Sequence, residues 1–122
     1  MSRASRRTEE GAATAELAMT LPLLIGVTIG LVWLLTIGAA QVRAVDAARE
    51  TARAVARGDG AGAAVARGEL VAPPGSRVTV RDDGDEVTAV VAGRVAGPGG
   101  MFHVPFARIS AQAVAAVEDD PG

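Results

Sequence analysis

The sequence contains no cysteine, no tyrosine and few other aromatic residues, with one tryptophan and two phenylalanines. Without cysteine the chain can form neither a disulfide framework nor a thiolate metal site. The hydrophobic fraction is 49%, but most of it is alanine and valine, so a core of large side chains is not available. With 122 residues the chain makes at most one small domain, and a large internal active site is not expected.

The sequence also lacks a large excess of either charge, since it has twelve arginines and fourteen acidic residues and the net charge is −2. This balance gives no field that would recruit nucleic acid, which we exclude as a partner. His103 is the only histidine and belongs to no catalytic or metal-ligand pattern. We therefore expect no enzyme activity, no cofactor, no metal and no small-molecule substrate. The acids Asp82, Asp83, Asp85 and Glu86 lack a calcium-binding loop pattern and indicate a solvated turn.

What is present is an uninterrupted apolar segment, Leu17 to Ala40, of 24 residues without a charge. A helix needs about 20 apolar residues to cross a membrane, whereas the apolar part of a cleaved signal peptide has about 7–15. The length predicts a retained transmembrane helix. The arginines on its two sides are nearly balanced, so charge alone does not decide its orientation.

Three residues of this segment are candidates for shaping or packing the helix. Pro22 removes a backbone donor and predicts a kinked or loosened turn. Gly26 and Gly30 form a G-x-x-x-G pair, which allows two helix backbones to approach closely. We expect these positions to face a neighbouring helix.

The residues before the apolar segment are a charged tail ending in Gly11, then small residues, then Glu16. Glu16 is the only ionisable residue between Gly11 and Arg43. A carboxylate at the edge of hydrocarbon is costly, so it either lies at the level of the lipid headgroups or finds a cationic partner.

The run from Gly11 to Pro22, GAATAELAMTLP, resembles the TadE-like family of pilus proteins and, more broadly, the type IV pilin leader. In that family a prepilin peptidase cuts after a Gly, the fifth residue after the cut is Glu, and a Pro follows six residues beyond it. Gly11, Glu16 and Pro22 match these three features. Leu17 stands where an aromatic residue is often found, which is a departure that keeps the position apolar.

The resemblance implies a minor pilin or pilus-assembly component that is cut between Gly11 and Ala12. The cut would free the α-amino group of Ala12 about one helical turn from Glu16. In assembled pilins that Glu pairs with the amine of a neighbouring subunit, so Glu16 is expected to set register between helices. The expected partners are prepilin peptidase, other pilin-like subunits and the Tad-type assembly machinery. The expected location is the cell membrane, single-pass, with the N-terminus cytoplasmic and the C-terminal part extracytoplasmic.

Beyond the membrane segment the pattern predicts an α+β arrangement, a long helix packed by a small antiparallel sheet. No breaker occurs before Gly58, and Val42, Val45, Ala48, Ala52 and Val55 form the expected packing stripe. Strands are predicted at 77–81, 86–95 and 109–117, with a hairpin at 82–85. Alternation along the second strand predicts one face with Val87, Ala89, Val91 and Val95. The predicted segments are a leader at 1–11, a helix at 12–58 crossing the membrane at 17–40, a linker or short helix at 59–76, a sheet at 77–118 and a tail at 119–122.

Several alternatives stay open at this point. The chain could be an uncleaved, membrane-anchored binding or secretion-accessory domain, or a protein released by signal peptidase near Gly38-Ala39-Ala40. If it is a pilin-like subunit, it either enters the fibre or only primes assembly. Met101, Phe102 and Phe106 gather the large apolar side chains in one loop, which either fills the core or contacts a partner.

Overall fold

The computed structural model describes residues 3–98 and 106–118, and these residues form two helices and three strands. Their bounds are α1 Arg3–Ala56, α2 Ala61–Val71, β1 Arg77–Asp82, β2 Glu86–Ala96 and β3 Phe106–Ala116. The strands form one antiparallel sheet in the order β1-β2-β3. The predicted α+β class, with a long N-terminal helix and a three-stranded antiparallel sheet, is confirmed.

Helix α1 begins at Arg3 and therefore includes residues of the predicted leader as well as the apolar segment. Its C-terminal end is closed by Gly58, whose φ of 96° is the left-handed conformation that glycine adopts without strain. There the Gly58 N–H donates to the Val55 carbonyl at 2.9 Å, and the Asp59 N–H donates to the Ala54 carbonyl at 3.0 Å. These bonds satisfy carbonyls that the last helical turn leaves without partners.

Residues 59–76, for which the pattern left a loop or a short helix open, contain helix α2. This helix ends where the Ala72 N–H donates to the Gly68 carbonyl at 2.8 Å, just before Pro73 and Pro74. A residue before proline is disfavoured in the helical conformation, and Ala72 is extended, with φ −62° and ψ 155°. The prolines thus explain why the helix stops.

Strands β1 and β2 form a hairpin around the acidic turn. Gly84 has a φ of 94°, its N–H donates to Asp82 Oδ1 at 2.9 Å, and the Asp83 N–H donates to the Glu86 carbonyl at 3.0 Å. Strand β3 begins at Phe106, three residues before the predicted start at Ile109. The earlier start extends the pairing with β2 to the pairs Ala96 with Phe106 and Arg94 with Arg108.

The core of residues 35–122 is built from small side chains. Alternate residues of β2, namely Val87, Ala89 and Val91, are fully buried, as the period-two pattern predicted. They share the core with Val78 of β1 and with Ile109 and Ala111 of β3. Helix α1 contributes Ala40, Ala44, Ala47 and Ala48 to this core.

The packing face of α1 includes Ala48 and Ala52 of the predicted stripe, which are buried, but it does not include Val42. Val42 is 61% exposed, whereas Ala44, Ala47 and Thr51 are fully buried. Alanine lets a sheet approach a helix more closely than valine does, and close approach improves the contacts of every neighbouring atom. The smaller side chains therefore define the face that packs.

Candidate processing and assembly segment

Gly11 and Ala12, the expected cleavage pair, are exposed residues inside helix α1. Both residues have helical and not extended backbone. A glycine in a helix interior is about 1 kcal/mol less favourable than alanine, so the helix opens more easily at Gly11 than at its neighbours. Cleavage would accordingly require local unwinding of this turn.

Glu16 is exposed and its carboxylate makes no ion pair with any residue in the described ranges, 3–98 and 106–118. Its backbone carbonyl accepts a hydrogen bond from Thr20 Oγ1 at 2.7 Å. The carboxylate itself remains free to meet a charge from outside the chain. Removing such a group from water is tolerable only with a cationic partner.

Thr20 belongs to a series of threonines that the sequence analysis passed over. Thr14, Thr20 and Thr28 each donate their hydroxyl to the carbonyl four residues earlier, at 2.7–2.9 Å. This bond satisfies the hydroxyl within its own helix, so the residue can enter hydrocarbon without an unpaired donor. The signal was available in the sequence as isolated threonines within a helical apolar run.

Pro22 lies within the helix without ending it. Because proline lacks an N–H, the Ala18 carbonyl has no donor at the usual position four residues later. Leu21, Leu23 and Leu24 around it are all more than half exposed, which suits a helix surrounded by lipid or by other helices.

Gly26 and Gly30 lie on one face of α1, since residues four apart are neighbours on a helix. No atom lies within 4 Å of the position that a Cβ would occupy at either residue. The two glycines therefore form a flat strip that a second helix can approach closely.

Of the remaining candidate residues, the structure describes only some. Met101, Phe102 and His103 lie outside the described residues. Phe106 is described and is 36% exposed, with the Arg94 guanidinium 4.5 Å from its ring centroid. Within residues 3–98 and 106–118, no three His, Cys, Asp or Glu side chains are grouped so that they could hold a metal ion.

These features define a class of protein. Helix α1 contains an apolar segment long enough to cross a membrane, and α2 and the sheet follow it in the chain. The chain is thus an α+β protein, and its N-terminal helix supports association with a membrane.

Comparison with family models identifies the segment further. The model described as TadE-like protein matches residues 11–53, about a third of the chain, and confirms the resemblance seen at Gly11, Glu16 and Pro22. Residues 11–53 are therefore similar to TadE-like proteins, a family associated with pili. Neither the curated proteins nor the solved structures contain a match.

Proposed function

We propose that the chain is a TadE-like minor pilin or pilus-assembly component that prepilin peptidase cuts between Gly11 and Ala12. The observation that carries this proposal is the family match that begins at Gly11, at the front of the apolar helix. The mature protein then starts at Ala12, stays in the membrane through residues 17–40 and acts through binding to other subunits. It performs no catalysis of its own.

Glu16 is the residue that selects the neighbour in this proposal. Its carboxylate is exposed, and in a bundle of apolar helices it is stable only beside a cation such as the free amine of Ala12 on another subunit. Gly26 and Gly30 supply the strip along which the two helices pack. The pairing fixes register because any other offset leaves a charge without a partner.

The partners that follow are prepilin peptidase, other pilin-like subunits and the Tad-type assembly machinery. The charged residues before Gly11 then face the cytoplasm and residues 41–122 lie outside. No nucleic acid, cofactor or small-molecule substrate enters the proposal.

The test is the mass of the mature N-terminus. The full chain is expressed with and without a cognate prepilin peptidase, extracted from membranes and compared with Gly11→Val. We expect an N-terminus at Ala12 that depends on the peptidase and is lost in the variant. Gly62→Val serves as the matched control, because it makes the same change at an exposed helical glycine with open space around it.

A second variant separates processing from assembly. Glu16→Gln keeps the size of the side chain and removes its charge, so cleavage should continue while crosslinking to neighbouring subunits falls. Glu10→Gln, on the other side of the cut, should change neither. A mature chain that still carries residues 3–11 beside an active peptidase would favour the uncleaved, membrane-anchored domain instead.

A further inference from the structure

The outer face of the sheet carries three arginines at one end. Arg77, Arg94 and Arg108 come from three adjacent strands, are all exposed, and line one open depression of about 790 Å³ together with Ser110. Arg94 and Arg108 stand directly opposite each other in the β2–β3 register. None of the three guanidinium groups forms an ion pair within the described part of the chain. We call these three residues the arginine patch.

Like charges directly opposite each other across two strands destabilise a sheet. Here the side chains converge on one aromatic ring, since the guanidinium carbons of Arg94 and Arg108 lie 4.5 and 6.0 Å from the centroid of Phe106. The ring attracts and orients the guanidinium groups but does not neutralise them. The arrangement therefore holds positive charge in place for an anion from outside the chain.

The acids of the sheet lie at its other end. Asp82, Asp83, Asp85 and Glu86 form the β1–β2 turn, and Arg81 is already paired there with Asp83 at 3.4 Å. Glu86 and Arg94 are eight residues apart on β2, which is about 26 Å along an extended strand. That separation exceeds the screening length of about 8–10 Å at physiological salt, so the turn does not neutralise the patch.

The basic end of the sheet lies beside the last turn of the apolar segment. Gln41 Nε2 donates to the Ser110 carbonyl at 2.8 Å, while residues 112–115 border the same depression as Arg49, Ala52 and Arg53. Strand β3 thus runs in the same direction as this part of α1. Arg108 lies two residues before Ser110, which is about 7 Å along the strand. A helix covers the same distance in four or five residues, so Arg108 is level with a residue of α1 four or five positions before Gln41.

That level is the C-terminal end of the uncharged run, which ends at Ala40. Ile37, near the end of the segment, and Val95, next to Arg94, both pack against the same core. The uncharged run has 24 residues and the hydrocarbon core takes about 20, so its last residues reach the headgroup region. Residues 35–40, the end of the uncharged run, belong to the same compact unit as the sheet, so the arginine patch lies beside the end of the apolar segment and the acidic turn lies at the other end of the sheet.

We propose that the arginine patch binds the phosphate groups of anionic phospholipids at the membrane surface. A guanidinium group donates two parallel hydrogen bonds to phosphate oxygens, and three of them around one depression match an anionic headgroup better than a neutral one. This role rests on the membrane anchor but not on cleavage after Gly11. In this role the arginine patch holds the basic end of the sheet against the lipid headgroups.

The experiment measures lipid retained by the full chain in detergent micelles, by native mass spectrometry, during titration with phosphatidylglycerol or phosphatidylcholine. We expect the unmodified chain to retain phosphatidylglycerol preferentially. The variant R94Q/R108Q should lose about tenfold or more of that preference, since each surface arginine contributes roughly fivefold. R49Q/R53Q is the matched control, because it removes two exposed arginines of α1 and should leave the preference unchanged.

Equal losses in the two double variants would assign the effect to net charge and overturn the patch. An unmodified chain without preference, or one from which inorganic phosphate displaces phosphatidylglycerol at similar concentration, would overturn the lipid as ligand. Carbonate extraction of each variant checks the anchor separately, and the N-terminal mass reports cleavage. A failure of the proposed lipid site is therefore distinguishable from a failure of the proposed pilin processing.

Discussion

Gly68 of α2 packs directly against Thr51 of α1, and the side chain of Thr51 is fully buried beneath it. A methyl group on Gly68 would overlap Thr51 Oγ1 and lie 3.4 Å from Val78 Cγ1. Thr51 Oγ1 in turn donates to the Ala47 carbonyl at 2.8 Å, so this buried hydroxyl has a hydrogen-bond partner. Because Gly68 has no side chain, α2 can approach α1 closely at this contact.

Gly68→Ala should therefore lower the free energy of unfolding of the compact unit that begins at Leu35 by about 1–3 kcal/mol, because the added methyl group overpacks the contact. The measurement is pulse proteolysis of the full chain in detergent across a urea titration. Gly62→Ala is the control on the same helix, where a Cβ meets open space and alanine should stabilise by up to about 1 kcal/mol. Equal effects of the two variants would contradict the close contact.

The double variant Thr51→Ala/Gly68→Ala tests the same contact as a pair. Thr51→Ala alone should destabilise, since it removes buried atoms that fill the space between the helices. Combined with Gly68→Ala, it removes the oxygen that the new methyl group would overlap. The double variant should therefore lose less unfolding free energy than the two single variants together, by at least about 1 kcal/mol. A loss equal to that sum would mean that the two residues do not touch.

Val91→Ala should cost about 2 kcal/mol of unfolding free energy. Val91 is fully buried between the sheet and α1, and truncation removes apolar contact and leaves a cavity. Val114→Ala makes the same chemical change at a residue that is 54% exposed on the outer face, and its effect should stay within about 0.5 kcal/mol. Urea midpoints of the two variants compare them directly, and a reversed order would place the core on the wrong face of the sheet.

Ser76→Ala should be neutral or should stabilise by up to about 1 kcal/mol. Within the described residues Ser76 Oγ is buried without a hydrogen-bond partner, so the hydroxyl was removed from water without compensation. Ser110→Ala, at an exposed position of β3, provides the comparison. A clear loss of stability in Ser76→Ala would reveal a hydrogen bond made by this hydroxyl.

The sequence predicts those parts of the fold that local pattern controls. Alternation along β2 placed Val87, Ala89 and Val91 on one face, and glycine chemistry placed the end of α1 and the acidic turn. The family resemblance likewise depended on Gly11, Glu16 and Pro22, which are close in the chain. Each of these features is decided by residues within a few positions of one another.

Features that depend on contacts between distant residues were not predictable in the same way. Helix α1 is rich in alanine, so the pattern of apolar residues does not distinguish its buried face from its exposed face. For this reason Val42 was predicted to pack against the sheet, whereas it is exposed. The pairing of Thr51 with Gly68 depends on how two helices cross. The arginine patch depends on the β2–β3 register and on a strand that starts at Phe106, earlier than its alternation showed.

Alanines line the contact between α1 and the sheet, so this interface tolerates substitution by smaller side chains better than substitution by larger ones. Ala44, Ala47 and Ala48 have no accessible surface, so a larger residue at any of them must push the helix away from the strands. Replacement by serine or glycine keeps the spacing, although glycine costs about 1 kcal/mol of helix stability. Sequence drift at these positions is therefore confined to the smallest side chains, while the valines facing them can exchange with other side chains of similar volume.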